Sequence, residues 1–92
     1  MNQFKGKKIL IADDEPSVRS LVKKLLGKNC TVLEANDGKE AINIALNEKP
    51  DLILMDILMP KMDGLTACYA IRTNQVTKEI PVVMLTAVDY EL

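Results

Sequence analysis

Hydrophobic residues along the chain follow two patterns that alternate from one end to the other. Short, nearly continuous apolar runs predict buried strands, whereas apolar residues that recur every three or four positions predict amphipathic helices. The strand pattern occupies residues 8–12, 30–35, 51–56 and 80–87. The helical pattern fills the segments between these runs, so the predicted order of elements is βαβαβαβ.

The predicted helices are marked by their ends as well as by their apolar positions. Pro16 suits the first turn of the first helix, and Gly27 suits its C-terminal cap. This helix carries Val18, Leu21, Val22, Leu25 and Leu26 at helical spacing. The second helix ends before Pro50 and has one face made of Ala41, Ile42, Ala45 and Leu46. The third begins at Gly64 and carries Leu65, Cys68, Tyr69 and Arg72.

Alternation of this kind with short connections predicts an α/β domain in which helices cover both faces of a parallel sheet. Ligands of such sheets bind beyond the carboxyl ends of the strands, where the strand order reverses. The first strand ends in Asp13 and Asp14, the third ends in Asp56, and the fourth ends in Thr86 and Ala87. We therefore expect these residues to meet at one edge of the sheet.

Composition excludes several classes of function. The chain has 92 residues and a net charge of −1, which gives no indication of nucleic-acid or membrane-surface binding. A secretion signal and an apolar run long enough to span a membrane are both lacking in the sequence, which favours a cytoplasmic location. Cys30 and Cys68, with no histidine in the chain, suit neither a metal cluster nor a disulfide framework, and we expect reduced thiols.

Three carboxylates brought together repel one another unless a cation neutralises them. The available ligands are oxygen atoms, which suit Mg²⁺ better than zinc. Beside such an ion, Asp56 could take a phosphoryl group as an aspartyl phosphate, and the Thr86 hydroxyl could hydrogen-bond a phosphoryl oxygen. Each residue alone also has a structural explanation, because Asp14 suits a helix terminus, Asp56 suits a turn, and "PKMDG" is a turn signal.

Four stretches of the sequence together resemble the response-regulator receiver domain, the CheY-like module of two-component signalling. They are "ILIADDEPSVR", "VLEANDGKEAI", "PDLILMDILMPKMDG" and "IPVVMLTA". The resemblance implies a flavodoxin-like, doubly wound parallel sheet with the strand order 2-1-3-4-5. We expect an incomplete version here, with four strands in the order 2-1-3-4 and three helices. Residues 1–92 would then be a receiver domain that lacks its C-terminal portion, including the fifth strand and the fifth helix.

The resemblance implies a role for each acidic residue at the predicted sheet edge. Asp56 would be the phospho-acceptor and would receive its phosphoryl group from a sensor histidine kinase or a phosphotransfer protein. Asp14 would bind Mg²⁺ directly, and Asp13 would act mainly through water. Leu58 would offer its backbone carbonyl to the metal.

Further roles follow from the same resemblance. Thr86 would be the switch hydroxyl that turns toward the phosphoryl group, and Ala87 would be small enough to leave room for it. Pro60 and Gly64 would shape the loop beside the site. The family's lysine at the end of the fifth strand has no counterpart in this sequence, because Lys61 occupies a different loop. We therefore expect weaker coupling between the site and the protein surface.

Three functions stay open at this point. The first is a phospho-acceptor, which is not an enzyme. The second is a non-catalytic module that forms a homo-oligomer, through the exposed edge of strand 4 or through exchanged elements. Two features would need such partners. One is an apolar strand edge at Val82–Leu85, and the other is an uncovered helix face at Leu21, Val22 and Leu25. The third is a Mg²⁺-dependent phosphohydrolase, which ranks lowest because the candidate acid–base residue, Asp63, suits a turn.

Overall fold

The computed structural model describes residues 4–85, and these form a parallel sheet with helices packed against it. The predicted order of elements is confirmed. The elements are β1 (Lys8–Ala12), α1 (Pro16–Leu26), β2 (Thr31–Ala35), α2 (Gly38–Glu48), β3 (Leu52–Asp56), α3 (Gly64–Thr73) and β4 (Val82–Leu85). Two predicted site residues, Thr86 and Ala87, lie outside the described residues.

The strands of the described sheet are all parallel and lie in the order β2-β1-β3-β4, which confirms the predicted fold class. Ala12 at the end of β1 pairs with Met55 of β3. The next residues along the chain, Asp13 just after β1 and Asp56 at the end of β3, therefore lie side by side. This register places both acids at the same edge of the sheet before any side-chain packing is considered.

The central strand β1 is the most deeply buried element of the sheet. Side chains alternate along a strand, so Leu10 and Ala12 face one side of the sheet while Ile9 and Ile11 face the other. All four are fully buried. The strand is covered on both faces, which explains why its sequence reads as an unbroken apolar run.

The side of the sheet that carries Leu10 and Ala12 packs against α2 and α3. The buried cluster on this side also contains Ala35, Ala41, Ala45, Ile53, Met55, Ala67 and Ile71. The helices contribute mainly alanine, and these small side chains let the helix backbones lie close to the sheet. This close packing fixes the start of each helix relative to the carboxyl ends of the strands.

Helix α1 covers the opposite side of the sheet loosely, and none of its residues is fully buried. Leu25 is 75% exposed, Leu21 is also exposed, and Val22 is half-buried. We expected Leu21, Val22 and Leu25 to form an uncovered helix face, and within residues 4–85 two of these three side chains are exposed.

Helix α3 buries a different set of residues from the apolar ones that marked it in the sequence. Leu65 is exposed and Tyr69 is 72% exposed, whereas Gly64, Ala67 and Ile71 face the core. The buried set has the same helical spacing, but two of its members are small. None of the helices within residues 4–85 is long and apolar enough to cross a membrane.

Candidate acidic site at the carboxyl ends of the strands

Three carboxylates lie together where β1 and β3 end. Asp13 and Asp14 follow β1, and Asp56 is the last residue of β3. One carboxylate oxygen of each lies within 4.8 Å of the others. Asp13 and Asp56 are buried, with Asp56 only 8% exposed, while Asp14 is exposed to solvent. The structure thus brings together the three acids that the strand pattern placed at one edge.

The surroundings of Asp56 disfavour a bare negative charge. Burial raises the pKa of Asp56 above its ordinary value, and the negative charges of Asp13 and Asp14 raise it further. Hydrogen bonds from the backbone of Leu58 and Ile57 act in the opposite direction and favour the ionised form. A cation beside these carboxylates would remove the repulsion. The donor set consists of carboxylate oxygens, which fits Mg²⁺.

The backbone and carboxylate of Asp13 are held by three neighbours, one in β2, one in α1 and one just before α1. Its N–H donates to the carbonyl oxygen of Ala35 at 3.0 Å, and its carbonyl oxygen accepts from Nη1 of Arg19 at 2.6 Å. The Oδ1 atom of Asp13 accepts from the N–H of Glu15 at 2.9 Å. One local hydrogen bond therefore orients the carboxylate, and the other two hold the backbone.

The start of α3 lies directly against the backbone of the predicted acceptor. The N–H of Gly64 donates to the carbonyl oxygen of Ile57 at 2.8 Å. A Cβ added at Gly64 would contact the carbonyl oxygen of Asp56 and would lie 2.9 Å from both the Asp56 carbonyl carbon and the Ile57 Cα. Glycine is required here for space and not for an unusual φ.

Asp63 has a structural role in the residues described. Its Oδ1 accepts from the N–H of Thr66 at 2.8 Å and caps α3, and this hydrogen bond lowers the pKa of Asp63. The predicted turn residue is thus a helix N-cap.

A second acidic cap lies at the start of α2. Oδ1 of Asp37 accepts from the N–H of Glu40 at 2.8 Å, and Oε1 of Glu40 accepts from the N–H of Asn36 at 3.0 Å. Asp37 is thus the N-cap of α2, and Glu40 binds the N–H of the residue that precedes this cap. The spacing of Asp37 and Glu40, three residues apart before a helical pattern, is the signal in the sequence that indicates such a cap.

The cap of α2 also touches the loop that follows Asp56. Nζ of Lys61 lies 3.6 Å from Oδ2 of Asp37. A Cβ added at Gly38 would lie 3.0 Å from the Cβ of Met62. Lys61 itself has a φ of 66°, in the left-handed region that few residues with side chains adopt. The loop between β3 and α3 is therefore held at α2 as well as at α3.

The fold and the acidic cluster together define a class of protein: a doubly wound α/β domain whose strand ends form a carboxylate site suited to a divalent cation. A family model described as the response regulator receiver domain matches residues 9–91. The chain therefore belongs to the response regulator receiver domain family.

Known relatives agree with this assignment. The alkaline phosphatase synthesis transcriptional regulatory protein PhoP of Bacillus subtilis is 43% identical over 87 residues, which cover 94% of this chain and 35% of PhoP. The response regulator PleD of Caulobacter vibrioides is 43% identical over 83 residues, which cover 89% of this chain and 18% of PleD. This chain thus spans only about a third or less of the length of these two relatives.

A solved structure shows the same arrangement of elements. The N-terminal domain of a response regulator receiver protein from Methanoculleus marisnigri JR1 superposes with a TM-score of 0.84 at 34% identity. The match covers 92% of this chain and 70% of that one.

Proposed function

We propose that this chain is the phospho-acceptor receiver domain of a two-component response regulator and that Asp56 is the acceptor. The observation that carries the proposal is the position of the Asp56 carboxylate, buried at a strand end within 4.8 Å of two other carboxylates. The family assignment supports it, because aspartyl phosphate formation is the activity that the resemblance implies.

In the proposed step, a carboxylate oxygen of Asp56 attacks the phosphorus of a phosphohistidine. The new O–P bond forms as the P–N bond to the imidazole breaks, and the imidazole nitrogen leaves with the electron pair. The donor is a sensor histidine kinase or a phosphotransfer protein. The domain accepts one phosphoryl group and does not turn over a substrate, and a cytoplasmic location is part of the same proposal.

Asp13, Asp14, Asp56 and the backbone carbonyl of Leu58 would hold the metal. Bound Mg²⁺ would neutralise the carboxylates and the phosphoryl oxygens. Oδ1 of Asp13 already accepts a hydrogen bond from Glu15, which orients that carboxylate before metal or phosphoryl donor arrives. The Thr86 hydroxyl would contact the phosphoryl group, with Ala87 leaving space for it.

Intact mass after incubation with acetyl phosphate tests the proposal. We expect one phosphoryl adduct with Mg²⁺, none after chelation of Mg²⁺, and none in Asp56→Asn. Asp51→Asn is the matched control, because Asp51 precedes the opposite end of β3 and its hydrogen bond from the N–H of Lys8 needs only an oxygen acceptor. An adduct that persists in Asp56→Asn, or no adduct in folded wild type, would overturn the proposal.

We also propose that the chain self-associates through the edge of β4. Within residues 4–85, β4 pairs only with β3, and its Val83 is 47% exposed. An apolar strand with a free edge is a template for pairing with another chain. Light scattering over a concentration series should show association, and Val83→Lys should weaken it. A concentration-independent monomer would contradict this second proposal and leave the first intact.

A further inference from the structure

Arg19 links the acidic site to a neighbouring strand. Its side chain extends from α1 and is only 16% exposed. Nε donates to Oε1 of Glu34 in β2 at 3.0 Å, and Nη1 donates to the carbonyl oxygen of Asp13 at 2.6 Å. One planar guanidinium therefore joins β2 to the residue that follows β1.

The acceptor on Asp13 is the oxygen of the peptide group that joins Asp13 to Asp14. A peptide group is planar, so fixing its oxygen also fixes the direction in which the chain continues into Asp14. The N–H of Asp13 is already held by Ala35 at 3.0 Å. With both ends of Asp13 held, the backbone that carries the two neighbouring carboxylates has a defined path.

Glu34 keeps the guanidinium in place. The hydrogen bond from Arg19 lowers the pKa of Glu34, and the charge of Lys23 adds to this effect. Glu34 is therefore ionised at neutral pH and forms a charge-assisted hydrogen bond with Arg19, which is stronger than a neutral one. Lys23 approaches the same carboxylate, with Nζ 3.5 Å from Oε2. Within residues 4–85, Lys23 forms its hydrogen bond and ion pair with Glu34 and none with Asp13.

We propose that Arg19 is a positioning residue for the metal site. It holds the Asp13–Asp14 peptide in the orientation in which both carboxylates converge on Asp56. This inference rests on the proposed function, because it assumes that the three carboxylates bind Mg²⁺. Arg19 acts through the peptide and does not itself touch the metal.

The sign of the effect on metal affinity separates this role from a purely electrostatic one. Arg19 is a cation near a cation site, so a purely electrostatic role predicts tighter Mg²⁺ binding when its charge is removed. A positioning role predicts weaker binding in spite of the lost repulsion. Substitution of residues that orient metal ligands typically lowers metal affinity by about 10–100-fold.

Calorimetric titration of the full chain with Mg²⁺ tests the proposal, at a temperature where circular dichroism shows each variant to be folded. We expect Arg19→Met to weaken binding by about tenfold or more. Arg19→Lys should be intermediate, because one ammonium group cannot reproduce the two-pronged contact. Lys23→Met is the matched control, since it removes a cation from the same helix and from the same Glu34, and it should not weaken binding.

Glu34→Gln keeps the inference testable if Arg19→Met does not fold. It leaves the bond to Asp13 possible but loosens the guanidinium, so a smaller loss of affinity is expected. Unchanged or tighter Mg²⁺ binding in the Arg19 variants would overturn the positioning role alone. Absence of Mg²⁺ binding in folded wild type would instead overturn the proposed metal site, and the inference with it.

Discussion

Replacement of Gly64 by alanine should destabilise the domain strongly. The three atoms nearest to the added Cβ all belong to the backbone: the carbonyl oxygen and carbon of Asp56 and the Cα of Ile57. These atoms cannot rotate away as a side chain would. Overpacking in a tight interior costs about 1–3 kcal/mol, and the rigid surroundings place Gly64→Ala at about the upper end of that range.

Alanine has a better helix propensity than glycine, which returns at most about 1 kcal/mol. The net loss is therefore about 2 kcal/mol. For a domain of this size such a loss lowers the midpoint of thermal unfolding by about 8–16 °C. Far-UV circular dichroism during heating measures this shift. Phosphorylation by acetyl phosphate should slow in the same variant, because relief of the clash must displace Asp56 or α3.

Gly6→Ala is the control for the loss of glycine itself. Gly6 has a φ of +77°, and no neighbouring atom of residues 4–85 lies within 4 Å of an added Cβ. Its substitution measures the conformational cost of the left-handed region, about 1–2 kcal/mol, without a clash near the site. We expect lower stability with an unchanged phosphorylation rate. If Gly64→Ala melts at the wild-type temperature, the steric reasoning is wrong.

Three further outcomes are expected. Asp56→Asn should be more stable than wild type to urea at pH 7, because the raised pKa of Asp56 means that its ionised form destabilises the fold. This difference in stability should shrink as the pH falls toward about 3.9, the ordinary pKa of aspartate. Equal urea midpoints at pH 7 would contradict the prediction. Mg²⁺ should stabilise wild type by about 2.7 kcal/mol at a concentration of 100 Kd and Asp14→Asn by less, as measured by thermal unfolding; an equal shift would mean that Asp14 does not bind the metal. Asp37→Ala should lose the cap of α2 at a cost of about 1 kcal/mol, whereas Asp37→Asn keeps the cap and should lose only a few tenths from the pair with the exposed Lys61 side chain. The pKa of Asp37 is lowered, so its contribution to stability is present above the ordinary pKa and is lost as the pH falls. Equal urea midpoints for the two variants would refute the capping role.

The position of the acidic cluster was predictable from the sequence because it follows from strand ends. A parallel sheet puts the residues after β1 and β3 at one edge, and the register of Ala12 with Met55 sets Asp13 beside Asp56. No knowledge of side-chain packing is needed for that step. The roles of these residues in metal binding and phosphorylation stay predictions.

The buried face of α3 was not predictable from its apolar spacing. Leu65 and Tyr69 have the same spacing as Ala67 and Ile71, so periodicity alone cannot choose between two overlapping faces. The face of α3 that packs against the sheet is the one with the smaller side chains. The contact of Arg19 with the Asp13 carbonyl joins a side chain to a backbone atom six residues earlier, and neither hydrophobic periodicity nor a capping pattern indicates it.

The central place of β1 has a consequence for the order of folding events. The strand is synthesised before the other three strands of the described sheet, yet it pairs with β3, from which it is separated in sequence by α1, β2 and α2. Until β3 forms, one edge of β1, along Ile9–Ala12, has no strand to pair with. Pairing between segments so far apart in sequence is slow. The same pairing brings Asp13 and Asp14 to Asp56. The core is therefore completed at the same time as the acidic site is assembled. A nascent chain that ends before β3 has neither a complete core nor an assembled acidic site.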